Sequence, residues 1–223
     1  MSLGRRYRVP SLGTIVIALI LTVFYESRIT RSLVAGGFNF KTPDYLQEAW
    51  LVLRIGSIVL IIVFWILNQN NQLNWMVILA NTLLTLGLLV NIVAMVAMLL
   101  GSSHIKGSAL LIDAAILATV NILTFSIWYW LIDPPGIDES HPTDAPWEFL
   151  FPQRANRIPG YEAWVPRYTD YVALAFSTSV AFSPTDTAPL TRRAKGLMVF
   201  QAAISLVTIT VIAGSAINIL ASG

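Results

Sequence analysis

The chain has 223 residues, 56% of them hydrophobic and only 12% charged, with a formal net charge of +2. Soluble domains carry about 25% charged residues, so this composition belongs to the membrane class, and so small a net charge gives no reason to expect a nucleic-acid partner. There is no cysteine, which excludes disulfides, zinc–thiolate sites, iron–sulfur clusters and cysteine nucleophiles. The basic start, Met1 to Arg8, leads into an apolar run from Val9 to Tyr25 that lacks a small-residue cleavage site. This run reads as a retained first span, reaching spanning length when Pro10 and Ser11 form its first turn. Glu26 to Glu48 is polar and irregular, broken at Gly36-Gly37, with a turn or helix start at Thr42-Pro43-Asp44. It reads as a surface connection or an interfacial helix.

A second span is predicted from Ala49 to Leu67, with Trp50 and Trp65 near its ends in the manner of an interfacial belt. Asn68 to Asn74 is expected to turn the chain. A third span follows from Trp75 to Leu100, and Gly101 to Gly107 turns the chain again. The fourth span, Ser108 to Ile132, ends in the aromatic anchor Trp128-Tyr129-Trp130. Asp133 to Arg167 is a long connection rich in proline and acids. Within it, Trp147 to Gln153 is too aromatic for a flexible linker and is expected to fold back on the membrane surface or a neighbouring subunit.

Two ionisable groups fall inside predicted spans, where they are costly and usually functional. Arg54 and Asp113 each lie five residues past their predicted helix starts, Ala49 and Ser108. At 1.5 Å of rise per residue both sit about 7–8 Å deep, level and on the same side, so a pair or shared polar network is expected. Asp113 shares a helical face with Asn121, Thr124 and Trp128. That stripe fits a water path or a polar seam between helices. His104 and His141 are lone loop residues, and neither a metal pair, a catalytic triad nor a phosphate-binding glycine motif is present. No catalytic residue, metal site or cofactor is therefore assigned.

The last quarter of the chain has a different character. Tyr168 to Val180 is amphipathic, too short and too polar to cross a bilayer. It breaks at Ala181 to Pro189, passes a basic hinge (Arg192, Arg193, Lys195), and enters an apolar helix from Gly196 to Leu220. Short helix, irregular polar backbone and full span together form the layout of a re-entrant loop, which needs cover from protein or access to water.

The stretch "DYVALAFSTSVAFSPTDTAPLT" resembles the pore helix, filter and post-filter region of the potassium-channel superfamily, with Asp186, Pro189 and Thr191 in the post-filter pattern. "FLFPQ", "AFSPTDT-PLTRRAK" and "SLVTI…INIL" look like bacterial membrane proteins related to that two-helix pore module. The resemblance covers about the last half of the chain. It implies a homo-oligomer of four copies, each supplying one wall of a path for monovalent cations, with Thr178, Ser179, Ala181, Phe182, Ser183, Pro184, Thr185 and Asp186 at the filter-equivalent positions. The filter departs from the family pattern. Ser183 and Thr185 replace its glycines and Pro184 its tyrosine. A capping turn before the last helix also fits Ser183 to Asp186.

The expected fold is an all-α membrane protein with about five spans and a re-entrant helix and loop before the last. Residues 1–107 form N-terminal membrane helices and 108–223 a pore-module-like region. The expected function is an ion-channel-like pore in a bacterial inner membrane, with a weakly selective or plugged path. The alternative is a non-conducting structural or accessory subunit. Counting Lys and Arg places the loop's entry side in the cytoplasm, whereas the channel resemblance places it outside, and orientation stays open.

Overall fold

A computed structural model describes residues 13–14, 17–18, 20–22, 24, 44–67, 70–100, 107–133, 147–155, 158–161, 164–183 and 186–222, with side chains placed for most of them. Helix α1 runs Asp44–Ile66, α2 Asn70–Leu100 and α3 Gly107–Ile132. Then come strand β1 (Phe149–Leu150), the single turn α4 (Pro152–Ala155), α5 (Tyr168–Ala181), β2 (Ala188–Pro189) and α6 (Arg192–Ser222). Among the described residues, three stretches are long and apolar enough to cross a membrane: Trp75–Ala97 in α2, Leu111–Ile132 in α3 and Arg192–Ile217 in α6. α1 contains a shorter apolar stretch, Ile55–Phe64. Most of the predicted first span, Val9 to Tyr25, lies outside the described residues; those described there are helical.

Two expected helix starts need correction. Asn70 to Asn74, expected in a turn, begin α2. The basic stretch expected as a hinge before the last helix is that helix's own first turn. Thr191 is the reason. Its hydroxyl accepts from the Ala194 amide at 3.1 Å, so α6 begins directly after it instead of at Gly196. That position also removes Asp186 from the capping role, because it stands well before the helix start. The fold is mostly helical, as expected, with one short strand pair. β1 and β2 pair antiparallel, Phe149 with Pro189 and Leu150 with Ala188.

The chain divides into two compact units. One comprises Ile15–Val120 and Val207–Gly223. There α2 buries a stripe of Leu73, Val77, Ala80, Leu84, Leu88, Ile92 and Met95, spaced three and four apart as one face of a helix requires. Its opposite face exposes Trp75, Leu79, Leu86, Val90 and Val93, while Asn81 and Asn91 are buried. Water would reject that arrangement. In hydrocarbon it is the expected one, since lipid takes the apolar face and protein must satisfy the polar groups.

The other unit comprises Met1–Thr14 and Asn121–Leu206. Its core is aromatic: Phe149 meets Tyr129 and Tyr171 edge-on, Phe151 meets Tyr171 and Trp164, and Trp130 meets Tyr168. Within Trp147 to Gln153, Phe149 and Phe151 are buried in this core, while Trp147 is exposed. α6 repeats the inverted polarity. Gln201 and Ser205 are buried, whereas Val199, Phe200 and Leu206 are exposed.

Candidate functional site

The polar side chains of the second unit form a ladder that fixes how deep α5 reaches. α3 and α6 lie antiparallel in this unit. At their shared end the Arg193 guanidinium donates to the Ile132 carbonyl at 3.3 Å. Further in, Tyr129 donates to the Gln201 carboxamide oxygen. Deepest, the Asn121 amide donates to the Ser205 hydroxyl at 2.8 Å. α5 runs beside them in the direction of α6. Tyr171 donates to Asp133 at 2.7 Å, the Ala175 carbonyl accepts from Gln201 at 2.8 Å, and Ser179 shares a 2.8 Å hydrogen bond with Ser205. The Ser179 rung stands halfway along the apolar stretches Leu111–Ile132 and Arg192–Ile217. α5 has 14 residues, about 21 Å of helix, and runs from the Asp133 end past the Ser179 rung.

From there the chain comes back. Ala188 pairs with Leu150, and the Leu190 amide donates to the Glu148 carbonyl at 2.8 Å. Glu148 belongs to the end that α5 left, because its own amide donates to Asp133 at 2.9 Å.

That end is held by two ion pairs. Arg154 meets Asp133 at 2.8 Å with side chains 6% and 0% exposed. The other Asp133 oxygen accepts from the Glu148 and Phe149 amides. Arg154 also donates to the Phe149 carbonyl and lies over the Trp147 ring, 5.0 Å from its centre. A buried ion pair persists only when its remaining donors and acceptors are satisfied, and here they are. In the second pair Glu148 accepts from Arg193 at 2.6 Å and from the Thr191 hydroxyl. α6 has no acid of its own in its first turn. Glu148, just before β1, supplies the negative charge that a helix start favours.

Comparison with family models, curated proteins and solved structures gives no match. The reading therefore rests on the residues themselves.

The structure separates the filter-equivalent residues into two groups. Thr178 and Ser179 are buried in the ladder, Thr178 donating to the Leu174 carbonyl at 2.8 Å. Ala181, Phe182, Ser183 and Asp186 are exposed, and Pro184 and Thr185 lie outside the described residues. Phe182 ends α5 in the left-handed region at φ 52° and ψ 25°. Glycine normally takes that position, and a side chain there costs about 1–2 kcal/mol. Asp186 accepts from the Thr187 hydroxyl at 3.2 Å. Asp113 and Asn121 are both buried, Asn121 as the deepest α3 rung. The Arg54 side chain lies outside the described residues, and with it the expected pair to Asp113.

Sequence reasoning missed Asp133, Glu148, Arg154 and Tyr171, which it left inside a polar connection or an amphipathic run. A signal was present. Asp133 directly follows an aromatic anchor at a span's end, where a carboxylate must find partners.

Proposed function

We propose that the chain is a channel-like pore subunit of a membrane, bacterial inner membrane by its resemblance. Five helices cross: the run Val9 to Tyr25, then α1, α2, α3 and α6. Helix α5 enters from one side, stops near mid-depth and returns. The observation that supports this reading is the ladder, because a helix of half-membrane length, bonded rung by rung to two spans, returns to β1 at the end it left. Backbone in the turn after α5 cannot face lipid, so other copies or water must meet it. Four copies around an axis is the arrangement the resemblance implies.

The path is not of the potassium type. A potassium filter stacks backbone carbonyls in rings, and its glycines supply angles that side chains resist. Pro184 fixes φ near −65° and removes an amide that would brace such a strand. Hydroxyls of Ser183 and Thr185 and a ring of Asp186 carboxylates remain, which favour cations without sizing them. In liposomes holding purified protein, paired sodium and potassium gradients should drive flux of both ions at similar rates. Strong potassium selectivity would contradict the reading. One observation favours the second reading, a non-conducting accessory subunit: the Phe182 ring is exposed, and if it faces an axis between copies it closes the path. Absence of any flux would select that reading.

A further inference from the structure

The exposed face of α6 has a composition that neither the ladder nor a pore explains. Arg192, Lys195, Gly196, Val199, Ala203 and Leu206 are all exposed. At 100° per residue they fall on one side of the helix, cations at its start and apolar or small residues below. The two cations stand where the helix dipole disfavours them. Arg193, the third cation of that turn, is matched by Glu148, but neither Arg192 nor Lys195 has an ion-pair partner among the described residues. Nor do the other acids compensate among the described residues. Asp133 and Glu148 are buried in their own pairs, and Asp170 accepts from the Arg167 amide at 2.6 Å. The exposed acid Asp186 belongs to the preceding loop, off the stripe.

We propose that this stripe seats an anionic phospholipid, its headgroup phosphate at Arg192 and Lys195 and an acyl chain along Gly196, Val199, Ala203 and Leu206. The geometry suits both parts. Long basic side chains at the end of a lipid-facing stripe reach up to the headgroup layer while their stems stay on apolar surface. Beside Gly196 there is open space, with no atom within 4 Å of where a Cβ would stand. Thr191 already caps the Ala194 amide, so the side chains are what meets the phosphate. The proposal requires α6 to span a membrane and is independent of conduction.

Full-length protein reconstituted in equal parts phosphatidylglycerol and phosphatidylcholine, then extracted in mild detergent, can be assayed for retained lipid by mass spectrometry. Two cations near a headgroup should enrich phosphatidylglycerol on the order of thirtyfold. Arg192→Gln with Lys195→Gln should bring the ratio close to parity, whereas Arg192→Lys with Lys195→Arg should preserve it. Both pairs lie outside the buried ladder, and matching elution on size exclusion checks their folding. Equal retention by the unaltered protein, or enrichment indifferent to the Gln pair, would overturn the proposal. So would loss of the bound lipid to millimolar inorganic phosphate, which would make the seat a free-anion site. Disulfide-linked dimers of Val199→Cys would overturn it too, by showing that a second copy covers the stripe.

Discussion

Replacing Asp133 with alanine should cost about 3–5 kcal/mol of stability, the largest effect expected of any single change in this chain. The substitution strands a guanidinium that is 6% exposed, together with the Glu148 and Phe149 amides and the Tyr171 hydroxyl. Thermal unfolding of purified protein measures the loss. Asp133→Ala combined with Arg154→Met should recover much of it, since removing both charges is far cheaper than orphaning one. If the single variant unfolds with the wild type, the pair does not hold this end together.

Gln201→Leu should come second, at about 1–3 kcal/mol for the loss of the buried acceptor of the Tyr129 hydroxyl and of the second donor to the Ala175 carbonyl. Cross-helix hydrogen bonds in membranes average only about 0.6 kcal/mol, because the loosened state finds other partners. Gln201 should exceed that average. It is fully buried and ties α3 and α5 at once. The consequence should be local as well as global, with backbone amides of α5 exchanging faster with solvent deuterium while those of α2 stay protected. Uniform protection in the variant would show that α5 does not depend on this rung.

How much of this was readable beforehand follows from which forces act locally. Apolar runs announced α2, α3 and α6, because a helix in lipid needs only length and hydrophobicity. Tyr168 to Val180 was recognisable by being too short and too polar to span. Its partners were not. Ser179, Ser205 and Asn121 lie far apart in sequence and each is an ordinary small polar residue, so their meeting depends on packing that no local pattern encodes. Asp133, Glu148 and Arg154 looked like solvated charges in a proline-rich connection for the same reason. The start of α6 was misplaced because three cations within four residues suggest a hinge, while the capping signal was the single hydroxyl of Thr191 before them.

The central claim is that α5 enters and leaves by one side of the membrane. Arg167, just before α5, and Arg192, at the start of α6, are both exposed, and the chain has no native cysteine. Arg167→Cys and Arg192→Cys, each alone, can be treated with an impermeant thiol reagent in sealed vesicles and again after permeabilisation. Both cysteines should react from the same side, whichever side that is. Reaction from opposite sides would make α5 a crossing segment and would contradict the account.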